Sequence, residues 1–75
     1  MNAGRRKRID ALLDRLRDLT KEFQAILEEE QESFDNMPEG LQGSERGAVV
    51  EEAIEHLEQV VDALETADSE CGTLT

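Results

Sequence analysis

The chain has 75 residues, a formal net charge of −11 at pH 7 and a single cysteine, Cys71. A chain of this length accommodates at most one domain, and because it buries only about 60% of its unfolded surface, a monomer has marginal stability. One cysteine excludes an intramolecular disulfide, and no group of Cys, His and carboxylate residues has metal-site spacing. We therefore expect self-association to stabilise the fold, and we expect no cofactor.

The charge is distributed unevenly along the chain. Residues 1–21 carry a net charge of +4, whereas residues 22–75 carry −15, with Arg46 as their only basic side chain. An acidic body repels phosphate backbones, so we expect no direct binding of nucleic acid. Only the basic cluster at residues 5–8 could contact nucleic acid or an anionic lipid, but it has no interleaved aromatic side chains and is more typical of a solvated helix start than of such a binding site.

The hydropathy pattern bears on location. No apolar run is long enough to span a bilayer, and the basic first residues lead into an amphipathic helix rather than the apolar segment of a signal peptide. A lone cysteine suits a reducing compartment. We expect a cytoplasmic protein with no membrane partner.

The first predicted helix covers about residues 5–35, because apolar residues recur at three- and four-residue spacing from Ile9. If Ile9 is position a of a heptad, positions a, d and e are all apolar, which is typical of a bundle helix rather than a two-stranded zipper. The rows are Ile9, Leu16 and Phe23 at a, Leu12, Leu19 and Ile26 at d, and Leu13, Thr20, Leu27 and Phe34 at e.

A turn is predicted over residues 36–44. Pro38 lacks a backbone donor and disfavours the helical conformation at Met37, so the first helix should end before it. The segment from Pro38 to Leu41 can form one isolated helical turn, with Met37 and Leu41 covering the open end of the core as a hydrophobic plug. Ser44 is a suitable N-cap for the helix that follows.

The second predicted helix covers about residues 45–67, and the tail 68–75 should fray because it contains Gly72 and short polar residues. Positions a, d and e are again apolar. The rows are Val50, Leu57 and Leu64 at a, Ala53, Val60 and Ala67 at d, and Ile54 and Val61 at e.

The short connector predicts an antiparallel helical hairpin in an all-α fold. Arg5, Arg8 or Arg15 should then approach Asp62, Glu65 or Asp68. Two helices that touch along one line cannot cover apolar stripes three positions wide, so we expect a homodimer that forms a four-helix bundle. Its predicted core is Leu12, Leu16, Leu19, Phe23, Ile54, Leu57, Val61 and Leu64.

No catalytic or metal site is predicted. Glu51, Glu52, Glu55 and Glu58 resemble the acidic helices that hold magnesium in all-α nucleotide pyrophosphatases, but that chemistry needs carboxylates converging from facing helices, and here they face solvent. His56, four residues after Glu52, is more typical of a flanking residue paired with a carboxylate than of a base or ligand. No nucleophile–base pair, phosphate loop or nucleotide fingerprint is present. We expect a protein that is not an enzyme.

The segment from Glu28 to Gly47, followed by Glu52–Glu58, resembles short uncharacterised acidic helical-hairpin proteins of bacteriophages and mobile elements. The shared part is the turn and its flanks. The resemblance implies a common hairpin and a phage-type context, but it carries over no activity and no functional residue. Small acidic phage proteins are often inhibitors that bind host proteins, or minor structural parts.

The sequence therefore predicts a small protein-binding module in which the acids of the second helix, with those around the turn, occupy a basic groove of an unidentified host protein. The alternative is a structural or assembly subunit whose acids only solvate the bundle. The predicted partner-binding residues are Glu51, Glu52, Glu55, Glu58, Asp62 and Glu65, with Met37 and Leu41 at the turn.

Overall fold

The computed structural model describes residues 1–74, and these form three helices with no strand among them. They are α1 (Ala3–Asp35), α2 (Glu39–Gln42) and α3 (Glu45–Gly72). The all-helical class is therefore confirmed. The molecule is a rod, with Cα extents of 58 × 14 × 12 Å.

α1 and α3 pack side by side and run antiparallel. Arg17 Nε donates to Asp68 Oδ2 at 2.9 Å, and Gln24 Nε2 donates to Glu65 Oε1 at 3.3 Å. The residue number thus rises along α1 as it falls along α3. At this register the first turns of α1, with the basic cluster at residues 5–8, extend past the described end of α3.

The predicted contact between the basic start and the acidic end is made by a different arginine. Asp68 is one of the expected acceptors, but its donor is Arg17, because Arg5 and Arg8 have no α3 residue opposite them and Arg15 lies on the outer flank of α1. The hydrogen bond and charge of Asp68 raise the pKa of Arg17 above its ordinary value. The pair is largely exposed, so its contribution to stability is small.

The turn is built around Pro38, as predicted. The Pro38 carbonyl oxygen accepts from the backbone N–H groups of Leu41 at 2.9 Å and Gln42 at 3.0 Å, which forms the single helical turn of α2. The Gln42 side-chain amide then donates to the carbonyl oxygen of Phe34 at 2.9 Å. This bond ties α2 back to the end of α1.

The start of α3 presses against the end of α2 at Gly47, which is buried. A Cβ atom there would overlap the Gln42 carbonyl oxygen, and it would lie 2.6 Å from both the Gln42 carbonyl carbon and the Leu41 carbonyl oxygen. No described residue has a positive φ. Glycine is therefore required at this position by close approach of two backbone segments rather than by an unusual dihedral angle.

Ser44 caps α3, as predicted. Its Oγ accepts from the Gly47 backbone N–H at 3.4 Å and donates to the Leu41 carbonyl oxygen at 2.5 Å. Ser44→Ala should lower the free energy of unfolding by about 1 kcal/mol, because an orphan backbone donor loses its acceptor. Urea denaturation followed by circular dichroism would measure this loss. The matched control is Ser69→Ala, the same change at an exposed position inside α3; equal effects of the two changes would contradict a capping role.

The core of a single hairpin is small and lies in the e row. The only apolar side chains buried among the described residues are Leu13 at 6%, Ile54 at 7% and Val61 at 6% exposure. The a positions are half-buried. By contrast, the largest d-position side chains are exposed, namely Leu12 at 56%, Leu19 at 49%, Ile26 at 46% and Val60 at 36%.

These exposures divide the predicted dimer core into three groups. Ile54 and Val61 are already buried inside one hairpin. Four members of the set are half-buried: Leu16, Phe23, Leu57 and Leu64. Only Leu12 and Leu19 are left largely open to a second molecule.

Both long helices extend further than predicted. α1 begins at Ala3 rather than near residue 5, because Asn2 Oδ1 accepts from the Arg5 backbone N–H at 2.8 Å and caps the helix. α3 continues to Gly72, so the prediction of an end near residue 67 with a frayed tail is wrong. Asp68 is held by Arg17, and Cys71 packs half-buried at the open end of the hairpin. These contacts outweigh the weak helix propensity of the segment. Residue 75 of the predicted tail lies outside the described residues.

Candidate functional site

The hairpin is a two-helix layer with chemically different sides. When the a and e rows of two antiparallel helices face each other, helix handedness places both b rows on one side of the layer and both d rows on the other. The cross-helix hydrogen bonds Gln24–Glu65 and Arg17–Asp68 lie on the b side. One side of the layer is therefore polar, and the other carries the exposed apolar d row.

The carboxylate face is the set of acids that runs from the polar side round to the outside of α3. All of its members are exposed: Glu51, Glu52, Glu55, Glu58, Asp62 and Glu65. At 1.5 Å per residue they occupy about 21 Å of a rigid helix. The face is a rod of negative charge rather than a pocket.

Few groups within the hairpin neutralise the carboxylate face. Among the described residues, the only basic side chain within salt-bridge distance of any of the six carboxylates is His56, whose Nε2 lies 3.8 Å from Glu52 Oε1. This confirms the predicted pairing of His56 with a carboxylate. Glu65 accepts the hydrogen bond from the neutral Gln24 amide. The remaining acids face solvent with no basic partner in the described chain.

α1 adds acids beside this face near the turn. A shallow groove on the polar side is lined by Glu28, Glu32 and Asp35 of α1 together with Glu58 of α3. Sequence reasoning expected acids around the turn to contribute but did not single out these three. The available signal was their heptad position, with Glu28 and Asp35 at f and Glu32 at c, since these rows lie on the polar side and the outside of α1.

The geometry of these carboxylates limits their chemistry. No group of three or more His, Cys, Asp or Glu residues in residues 1–74 is placed to hold a metal ion. Carboxylates spread along the outside of one helix can each meet a separate basic side chain, but they cannot converge on one ion. The arrangement suits binding of an extended basic surface.

The two predicted binding residues of the turn differ in exposure. Met37 is half-buried, as a plug over the end of the core requires. Leu41 is 44% exposed, so the prediction that it also forms the plug is wrong. The physical reason is α2, whose helical turn directs Gln42 rather than Leu41 back towards Phe34. Leu41 remains an exposed apolar side chain at the tip of the hairpin.

The apolar face is the opposite side of the layer and consists of the d-position side chains Leu12, Leu19, Ile26, Ala53, Val60 and Ala67. Near the open end it includes a groove of about 380 Å³ lined by Leu12, Leu16, Leu19 and Cys71, among others. Sequence reasoning found the d row but did not show that it would be left outside the hairpin. Heptad positions a, d and e are equally apolar in the sequence, so the pattern did not reveal which two would be covered.

No protein family, curated protein or solved structure matches this chain. None of the described helices combines the length and hydropathy needed to cross a bilayer.

Proposed function

We propose that the protein is a small acidic binding module whose carboxylate face occupies a basic groove on another protein, such as the nucleic-acid-binding surface of a host protein. The observation that carries this proposal is the row of six exposed carboxylates on α3, which have no Lys or Arg within salt-bridge distance among the described residues and only the imidazole of His56 nearby. The phage-type context implied by the resemblance fits an inhibitor of this kind.

Repulsion among the carboxylates of α3 favours binding of a basic surface to the carboxylate face. Like charges four residues apart destabilise a helix by a few tenths of a kcal/mol, and Glu51 with Glu55 and Glu58 with Asp62 are such pairs. A basic groove would replace this repulsion with attraction. The helix backbone that carries the carboxylates is already rigid, so binding costs little conformational entropy beyond that of the side-chain rotamers. Attraction between opposite charges would also steer the encounter, with an association rate that falls as salt rises.

The binding module acts as a dimer in this proposal. A single hairpin leaves Leu12, Leu19 and Ile26 about half exposed, and exposed apolar rows of this kind mark interaction surfaces. A second hairpin covers them and completes a four-helix bundle. The carboxylate faces then lie on the outside of the bundle, where two copies can engage a partner.

The test is the charge reversal Glu51→Lys, Glu55→Lys and Glu58→Lys in one variant. All three positions are exposed, so the fold should survive, which circular dichroism would check. The matched control reverses three exposed acids of α1, Asp10→Lys, Asp14→Lys and Asp18→Lys, and changes the net charge by the same amount. Pull-downs from host lysate with the three baits, compared by mass spectrometry, should yield proteins retained by the parent and the control but lost by the carboxylate-face variant.

Two further results would bear on the proposal. Capture should weaken as salt rises, because screening shortens the reach of exposed charges to about 8 Å at physiological ionic strength. If the carboxylate-face variant still captures the same proteins at that ionic strength, the acids only solvate the bundle. The structural-subunit alternative would then stand, and the binding site should be sought at Met37 to Leu41.

A further inference from the structure

The largest exposed side chains of the apolar face form a regular row along the hairpin, which a partner surface with matching apolar spacing can cover. Leu12, Leu19 and Ile26 follow one another at seven-residue intervals along α1, and Val60 lies beside them on α3. We infer that a second copy of this chain covers this face with its turn at the opposite end, so that the two α1 helices cross antiparallel at Leu19. The inference rests on the proposed dimer and adds its orientation and register.

The register follows from where the apolar row is centred. Leu19 is the middle residue of the row and also the midpoint of α1, which spans Ala3–Asp35. A twofold axis at Leu19 pairs Leu12 with the partner's Ile26 and Leu19 with its own copy. The Arg17–Asp68 and Gln24–Glu65 bonds place Leu19 level with residues 66–70 of α3. The d-position residue of that range is Ala67, whose small side chain lets the two α3 helices approach at the same axis.

The apolar residues alone do not select this orientation. If both turns lay at the same end of the bundle, α1 would face the partner's α3, and Leu19 would meet the partner's Ala67. Ile26 would then meet the partner's Val60. The apolar rows match in both arrangements, so the charged residues beside them must decide.

The flanking row, at the g positions of α1 beside the apolar face, consists of Arg8, Arg15, Glu22 and Glu29. Two basic side chains are followed by two acidic ones. With the turns at opposite ends, Arg8 meets the partner's Glu29 and Arg15 meets the partner's Glu22. Symmetry repeats both pairs, so every charge in the row has an opposite neighbour.

In the same-end arrangement, fewer charges of the flanking row have an opposite charge beside them. At the observed hairpin register, Arg15 would meet the partner's Glu70, but Glu22 would lie beside the partner's Ala63 and Arg8 beyond the described end of the partner's α3. The flanking row is thus fully matched only when the two α1 helices meet each other.

The acidic end of the hairpin favours the same orientation. Residues 28–52, which surround the turn, carry nine acidic side chains and one basic side chain, Arg46. Placing both turns at the same end would bring these acids together across an interhelical distance of about 8–10 Å, which is about one Debye length. Placing them at opposite ends sets each acidic turn beside the basic start of the partner's α1.

Site-specific crosslinking tests the orientation. In a Cys71→Ser background, Leu19→Cys places one thiol of each copy at the twofold axis, so oxidation or a short bismaleimide should link most of the protein into a covalent dimer. The control is Lys21→Cys, an exposed position on the outer face of α1, which should stay unlinked. The discriminating sample mixes the Leu19→Cys and Ala67→Cys chains, because a mixed crosslink is expected only if the turns share one end.

Charge exchange gives a second readout that needs no crosslink. Arg8→Glu with Arg15→Glu should weaken self-association about tenfold, as should Glu22→Arg with Glu29→Arg, since each change puts like charges beside each other across the interface. Combining all four substitutions should restore the parental association constant in sedimentation equilibrium. In the same-end arrangement the fourfold variant would not recover, because its flanking row would face the partner's α3.

The outcomes separate the orientation from the dimer itself. A dimer by light scattering that crosslinks through the mixed Leu19→Cys and Ala67→Cys pair would overturn the orientation and leave the proposed dimer standing. A parent protein that stays monomeric in scattering, with no crosslink through Leu19→Cys, would overturn both. Self-crosslinking of Leu19→Cys together with recovery of the fourfold charge variant would establish the arrangement.

Discussion

Gly47→Ala is expected to destabilise the hairpin by about 3 kcal/mol or more, the upper range for an inserted methyl group that its surroundings cannot accommodate. The new Cβ would overlap the carbonyl oxygen of Gln42, and its other near neighbours are backbone atoms of Leu41 and Gln42. Backbone cannot rotate away as a flexible side chain can. The start of α3 would have to shift, which would break its close approach to α2. Thermal unfolding followed by circular dichroism would measure the loss.

Gly40→Ala is the matched control for this prediction. Gly40 lies in the same turn region, within α2, and a Cβ there has nothing within 4 Å. Because alanine favours helical backbone and restricts the unfolded chain, this change should stabilise the protein, by at most about 1 kcal/mol. Equal unfolding temperatures for the two variants would contradict the close approach at Gly47.

Leu13→Ala should cost about 2–5 kcal/mol, because it removes one of the three apolar side chains that are buried among residues 1–74 and leaves a cavity between α1 and α3. A chain this short has little stability in reserve. We therefore expect the variant to be partly or fully unfolded at room temperature. Urea denaturation at several protein concentrations would show this as a loss that is present at every concentration.

The neighbouring residue provides the control for Leu13. Leu12→Ala removes the same atoms from the same helix, but Leu12 is 56% exposed in the hairpin. The loss in free energy of unfolding caused by Leu12→Ala should be smallest in dilute protein, because self-association then contributes least to stability. If Leu12→Ala were as damaging as Leu13→Ala in dilute solution, the hairpin core would not lie in the e row.

The parts of the fold that could be predicted depend on local chemistry. Pro38 removes a backbone donor wherever it stands, so the end of α1 and the turn were predictable from one residue. Ser44 was recognisable as a cap because its hydroxyl is placed to accept an orphan donor, and Gly47 supplies it. The pairing of His56 with Glu52 follows from their four-residue spacing on one helix.

The parts that could not be predicted depend on how the two helices meet. The axial register decides that Arg17, rather than Arg15, reaches Asp68. The rotation of each helix about its axis decides that Leu13 is buried while Leu12 is exposed. Neither the axial register nor the helix rotation can be inferred from a heptad whose a, d and e rows are equally apolar. The requirement for glycine at residue 47 depends on the path of the turn, which no local pattern shows.

The candidate site divides in the same way. Exposure of the carboxylate face was predictable, because Glu51, Glu55 and Glu58 fall at positions b and f, outside the apolar a, d and e rows. The acids that α1 adds beside Glu58 were not identified individually, since their proximity depends on the tertiary fold. Leu41 was assigned to the plug because its side chain is apolar, but the direction of α2 leaves it exposed.

Because the hairpin is closed at its turn and open at the other end, the contacts between its helices should form in a definite order during folding. The Gln42–Phe34 bond spans only 8 residues of sequence, whereas the Gln24–Glu65 bond spans 41 and the Arg17–Asp68 bond spans 51. Each doubling of the closed loop adds about 0.6 kcal/mol of chain entropy, so contacts near the turn are the least costly to form first. Folding should therefore proceed as a zipper from Pro38 outward, at the high rates typical of helical proteins with local contacts. Opening should run in reverse, and amide hydrogens at the two chain ends should exchange with solvent before those beside the turn.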